Sequence, residues 1–283
     1  MILNKMSIVF NANDHSYKSI DTEQDIVWYS VTTVVSFLKK PFDAKKIAEK
    51  VSKNSKSKWY KVDPKLIQEI WNNEAKRATD LGTWYHNQRE DDICSLASIE
   101  REGTTVPVFK PLPLKEGIKY ASSQKLEPGV YPEHMVYLKS AGICGQSDLV
   151  EVVNGRVNII DYKTNKEIKM ESFKNWEGVS EKMLHPVSNL EDCHFNHYAL
   201  QLSIYMYIIL KHNPKLLPGN ISIHHITFET EGLDKWGYPI AKKDEYGNPI
   251  VKDVLPLQVP YLYDEVIAVI NHIKENPNFI KKK

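Results

Sequence analysis

GQSDLVEVVNGRVNIIDYKT, residues 145–164, sets a turn dipeptide between two apolar, β-branched runs. Asn-Gly tolerates the two positive-φ positions of a tight hairpin turn, so Asn154-Gly155 predicts two paired strands, SDLVEVV and RVNIIDYKT. Asp148 lies six residues before that turn and Asp161 six after it. Antiparallel pairing therefore lets the two carboxylates meet at one end of the hairpin. Lys163 follows Asp161 by two residues, and the strand period of two puts it on the same face. Two carboxylates and an ammonium at one strand end make a site for a hard cation held through oxygen, Mg²⁺ or Mn²⁺. Each residue alone would be an ordinary strand-edge charge; the joint placement carries the reading.

Outward from this hairpin the pattern alternates. HMVYLKS, closed by Ala141-Gly142, reads as a strand before it. From about Pro64 to Asp92 the period is helical, with Trp71, Ala75, Ala78, Gly82, His86 and Glu90 on one stripe. Residues 103–114 read as loop and edge structure. Near the start, SIVFNA and SYKSI form a hairpin around Asn13-Asp14, and DIVWYS follows an acidic turn. Ser30 then opens a helix over SVTTVVSFL that Pro41 ends. Downstream, 169–193 reads as a long loop with a short helix, and HFNHYALQLSIYMYIILKH (194–212) as one apolar helix stopped by Pro214. ISIHHITFET is a strand, 232–256 a hairpin or loop excursion, and 261–276 an amphipathic helix. No repeat interrupts this order. The expectation is an α/β fold, a mixed central sheet flanked by helices with a helical N-terminal region. It forms a single domain, 1–283: hairpin and lysine-rich segment (1–62), catalytic core (63–230), C-terminal excursion and helix (231–283).

Composition narrows the class. A chain of 283 residues that is 42% hydrophobic can bury a sizeable core, which excludes disorder. No apolar run is long enough to span a bilayer, and MILNKMSIVFNANDHSY reaches Asn and Asp too early for a secretory leader. Cys94, Cys144 and Cys193 are too few and too far apart for a disulfide framework or a ligand set, so a reduced, cytoplasmic protein is expected. With 37 basic against 36 acidic residues the balance is neutral, and only its distribution is informative. Residues 39–58 hold eight lysines against Asp43 and Glu49, and Trp59 and Tyr60 follow. Lysines interleaved with aromatics suit a phosphate backbone with bases stacking nearby, which makes Lys45, Lys46, Lys53, Lys56 and Trp59 DNA-binding candidates. A solvated helix face explains the same run.

The order G-x-x-D at Gly145–Asp148, a dozen residues, then Asp161-Tyr162-Lys163-Thr164 resembles the PD-(D/E)XK nuclease superfamily, and within it the RecB-like branch. Two further motifs stand in the branch's order. Gly82-Thr83-Trp84-Tyr85-His86 matches its G-T-x-x-H helix, and Gln201-Leu202-Ser203-Ile204-Tyr205 its Q-x-x-x-Y helix. The Ser30-Val31-Thr32 entry is similar to that of mitochondrial genome maintenance exonucleases and related phage nucleases. The likeness spans roughly residues 30–210. Iron–sulfur members of the branch use four cysteines, and this chain has three.

The resemblance implies a restriction-endonuclease-like core and a metal-dependent DNA nuclease, an exonuclease on single-stranded or end-containing DNA in recombination, repair or phage genome processing. The cell implied is bacterial or phage-infected. Asp148, Asp161 and the Tyr162 carbonyl would be oxygen ligands of Mg²⁺ or Mn²⁺, and His86 a nitrogen ligand. Lys163 would orient or deprotonate the attacking water, with its pKa lowered beside the metal. Gln201 and Tyr205, one helical turn apart, would border the active site. Glu90, one turn after His86, and Glu133, ahead of HMVYLKS, would back the ligands. His86 also reads as a core histidine and Tyr205 as plain core. His194 and His197 form no metal pair without a carboxylate at matching spacing, and adjacent His224 and His225 point to opposite strand faces. Two other functions fit the same residues, a structure-selective endonuclease and a non-catalytic DNA-binding module of this fold.

Overall fold

The computed structural model describes residues 8–12, 14, 16–20, 26–112, 115–276 and 278–281. In chain order, β1 (Ile8–Asn11) and β2 (Ser16–Ser19) form a hairpin, and β3 (Tyr29–Ser30) leads into α1 (Val31–Phe37). Then come α2 (Ala44–Lys53), α3 (Pro64–Cys94), the β4 (Ser98–Arg101) and β5 (Thr104–Pro107) pair, and β6 (Ile118–Tyr120). The centre follows: β7 (Gly129–Leu138), β8 (Ile143–Val153), β9 (Arg156–Lys163), α4 (His194–His212) and β10 (Leu217–Phe228). The chain closes with β11 (Thr230–Leu233), β12 (Pro239–Ala241), β13 (Val251–Val259) and α5 (Tyr263–Glu275).

The central sheet is mixed and six-stranded. β8 pairs antiparallel with β7 and β9, and its first residues also take β3 in parallel. β9 runs parallel to β10, which pairs antiparallel with β13 at the edge. The Asn154-Gly155 turn forms as its dipeptide predicts: both residues have positive φ, 50° and 74°, and Val153 faces Arg156. Pro256 sits inside β13 opposite His224, which the edge position permits because no outer strand needs its missing N–H.

Helix α4 is apolar nearly all round, so it lies inside rather than on the surface. Leu200, Leu202, Ile204 and Met206 are fully buried and belong to one core with Val150, Val152, Val157, Ile159, Ile221 and Ile223 of the sheet. Each such side chain contributes about 1.5–3 kcal/mol by leaving water. α1 and α5 flank it. Ser30 caps α1 as expected, its Oγ accepting the Thr33 N–H at 3.0 Å. On β9 the strand period sorts the faces. Val157 and Ile159 point into the α4 core, whereas Ile160 and Tyr162 pack with Trp84 and Tyr85 of α3. Asp161 and Lys163 therefore share the α4 side.

One expectation needs correction. Residues 169–193 contain no helix; their backbone bonds go to short bridges, Lys174 with Ser180 around a turn at Gly178 with φ 78°, and Lys182 with Glu191 beyond it. Buried Met183 and Val187 pin this segment to the core in place of a helical face. Within 103–114, residues 104–107 form strand β5 of the two-stranded β4–β5 pair, in keeping with the loop and edge structure read there. The β1–β2 hairpin forms, but Asn13 of its turn and residues 21–25 before β3 lie outside the described residues. No helix among the described residues is long and apolar enough to cross a membrane.

Candidate metal centre and its cleft

Pairing between β8 and β9 ends at Leu149–Ile160. Past that point the strands part, and the Asp148 carboxylate stands in for the ladder by accepting the Tyr162 N–H at 2.8 Å. Helix α3 passes the opening with Ala78, Gly82, His86 and Glu90 lining a cleft of about 880 Å³. Gly82 permits the approach, since a Cβ there would stand 3.1 Å from Thr164 Oγ1. His86 Nε2 lies 3.1 Å from the Tyr162 carbonyl oxygen and Nδ1 3.5 Å from Asp148 Oδ2. Strand β7 adds Glu133, whose carboxylate accepts from Gln146 Nε2. One ligand atom from each of His86, Glu133 and Asp148 lies within 4.8 Å of the others. Glu133 has φ 48°, a left-handed conformation that costs a non-glycine residue of order 1–3 kcal/mol. Its neighbours Pro132 and His134 keep their pairing with Leu149 and Ser147, so the surrounding ladder holds it there.

This set differs from the expected one. Glu133, expected behind the ligands, joins His86 and Asp148 in this cluster. Asp161, expected as a ligand, is 1% exposed and turned to the Lys163 ammonium. The Tyr162 carbonyl faces His86. Glu90 lines the cleft and lies 3.9 Å from Lys119 Nζ rather than supporting His86. The Lys163 ammonium also sits 5.0 Å from the Tyr198 ring centroid, and Tyr198 Oη donates to Asn165 Oδ1 at 2.8 Å. Tyr198 was missed, although its place one turn before Gln201 on the same helix could have marked it.

Charge is crowded here. Burial, with Asp148 close by, pushes Glu133 up to about 8; burial, with Asp161 close by, pushes Asp148 up to about 6. For Lys163, burial pulls the pKa down, but in the metal-free chain the Asp161 and Asp148 carboxylates outweigh that and hold it above the ordinary lysine value. With both carboxylate pKa values raised, the folded chain retains protons that the unfolded chain has released, so stability falls as pH rises toward about 8. Buried His134, held down to about 4, acts in the opposite sense below the usual histidine range. In chelator the protein is therefore expected to melt higher at about pH 7 than at about pH 9, and Mn²⁺ should reverse that slope because its ligands must be deprotonated. Thermal melts at the two pH values, with and without metal, check both signs.

Gln201 and Tyr205 reach this region from α4 and do not line the cleft. Gln201 Nε2 donates to Tyr205 Oη at 3.4 Å, and Tyr205, 2% exposed, packs against β8 at Gly145. A Cβ on Gly145 would stand 2.7 Å from Tyr205 Cε1. Gly145→Ala should accordingly lose about 1–3 kcal/mol by overpacking, readable as a lower denaturation midpoint. Truncating Tyr205 in the same background should recover part of that loss.

The lysine-rich segment divides. Lys45, Lys46, Lys53 and Lys56 are exposed on or just after α2, but none lines the cleft. Trp59 is 6% exposed, packed between Trp71 and Trp236, and so cannot serve as a stacking surface. Lys58 reaches the Trp236 carbonyl at 2.7 Å. The cleft draws its further lysines from elsewhere, Lys110 and Lys119, which no periodic signal marks. His197 pairs with Asp192 at 2.6 Å, and His225 with the Asn165 carbonyl at 2.7 Å, which accounts for both without a metal.

No family model matches the chain, and no curated protein matches it. Among solved structures it is similar to one titled "Crystal structure of SSO0001", at 11% identity and TM-score 0.33 over 93% of this chain and 81% of the other. A likeness that low carries no argument about fold or activity.

Proposed function

We propose that the cleft hydrolyses phosphodiester bonds in DNA, as a divalent-metal-dependent deoxyribonuclease working from free or single-stranded ends. The observation that carries this reading is the convergence of His86, Glu133 and Asp148 beside the Lys163–Asp161 pair, where β8 and β9 part. The motif order along the chain supports a PD-(D/E)XK core of the RecB-like branch around it. One imidazole and two carboxylates suit a divalent cation, and the imidazole favours Mn²⁺ over Mg²⁺. His86, Glu133 and Asp148 would hold it. When bound there, the cation polarises the scissile phosphate and acidifies a water. Asp161 anchors the Lys163 ammonium, which then orients a water or phosphate oxygen by donation rather than by taking a proton. Lys110 and Lys119 offer positive charge to the strand entering the cleft.

Digestion of end-labelled oligonucleotides, single- and double-stranded, blocked at either end, tests this in Mg²⁺, Mn²⁺ and chelator. Metal-dependent release of short products from one unblocked end is the expected result. Cutting of circular single strands would make the enzyme an endonuclease. Oligonucleotide bound but intact in every metal would leave a binding module and overturn the catalytic reading.

A further inference from the structure

On the far side of Glu133 a second cavity of about 340 Å³ shares Lys110, Pro111 and Glu133 with the cleft. One wall is an aromatic pair. Phe109 stacks on Tyr131 with ring centroids 4.7 Å apart and planes inclined by 12°. Gly129 makes room for it, because a Cβ there would fall 2.4 Å from Phe109 Cε2. Both rings are held. The Phe109 N–H donates to the Val130 carbonyl at 2.8 Å, and Tyr131 Oη accepts the Glu127 N–H at 2.9 Å while donating to the Glu127 carbonyl at 2.8 Å. Tyr131 is buried beneath, whereas Phe109 remains 38% exposed. A rigid aromatic ring left partly open to water, beside a lysine at the rim of the cleft, is a stacking platform with a phosphate partner next to it.

We propose that this cavity is a nucleotide subsite, a reading that rests on the cleft being a nuclease site. The base next to the scissile phosphate stacks on Phe109, and Lys110, on the wall common to both cavities, takes the phosphate that crosses between them. The volume falls in the range of small-ligand sites. Stacking tolerates any base but needs its face free, so the subsite selects unpaired strands rather than sequence. Single-strand preference then arises here and not at the metal.

The test measures binding of a fluorescent single-stranded oligonucleotide and its duplex in chelator, for the full chain and for Phe109→Ala, Phe109→Leu and Phe109→Trp, with melting temperatures alongside. Metal-dependent digestion of the same oligonucleotides runs in parallel. Phe109→Ala and Phe109→Leu should weaken single-strand binding by roughly 5- to 100-fold, Phe109→Trp should retain it, and duplex binding should not change. Single-strand affinity unchanged in Phe109→Ala overturns the subsite, as does full retention by Phe109→Leu, which would mark packing in place of stacking. If the wild-type chain cuts DNA while Phe109→Ala binds equally well, the subsite falls and the nuclease reading stands. If the wild-type chain binds with the stated Phe109 dependence but never cuts, the stacking of an unpaired base on Phe109 stands, while catalysis and the place of that base beside a scissile phosphate fall. If the wild-type chain neither binds nor cuts, both fall.

Discussion

Asp148→Asn should lower metal-dependent cleavage about a thousandfold or more and leave the metal-free protein as stable as before, or more so. The carboxylate would be one of three groups holding the cation, and losing about 4 kcal/mol of charge stabilisation at the phosphate translates into about three decades of rate. Stability moves the other way because Asp148 is buried against Asp161 and Glu133, which pushes its pKa up and makes its ionised form unfavourable. Asparagine removes that repulsion, and its carbonyl oxygen can still accept the Tyr162 N–H that now bonds Asp148 at 2.8 Å. Single-turnover rates on saturating oligonucleotide, paired with melts in chelator, separate the two effects. A rate near wild type in Mn²⁺ would remove Asp148 from the metal centre. A collapse in stability would show that the carboxylate is structural.

Much of this arrangement was legible in the chain because it is local. Asn154-Gly155 encodes its own backbone conformation, so the hairpin and the nearness of Asp148 to the β9 end follow from neighbours in sequence. The 3.6-residue stripe of α3 likewise announces that Gly82 and His86 face one way. The clustering of Glu133 with His86 and Asp148 was not legible, because it depends on β7 lying beside β8 and on a positive φ that no glycine marks. Trp59 was misjudged for a similar reason. Its burial is completed by Trp236, far along the chain in the β11–β12 excursion, and nothing near Trp59 encodes that contact. Lys110 and Lys119 lie in and around short strands whose placement is set by sheet assembly. Local signals therefore yielded the β8–β9 hairpin and the helices beside it, while the rim of the cleft required the tertiary fold.

The largest stability effect should come from the Lys163–Asp161 pair. Asp161 is 1% exposed and the Lys163 side chain 17%, so each is the other's chief compensation for leaving water. Lys163→Met strands a buried carboxylate and should cost about 3–5 kcal/mol, whereas Asp161→Asn with Lys163→Met, which removes both charges, should lie close to wild type. Activity is expected not to follow stability. Loss of the ammonium should cut the rate roughly 10²- to 10³-fold, as for other preorganised hydrogen-bond donors aimed at charge that develops in the transition state, and the double variant should remain as slow as the single one. Asp161→Asn alone leaves the ammonium without its anchor and should be slow as well. Denaturation midpoints and single-turnover rates for the four proteins of this cycle give two independent coupling energies. A double variant that regains rate together with stability would reduce Lys163 to a structural counter-charge and take it out of the chemistry, even if the metal centre at His86, Glu133 and Asp148 proved correct.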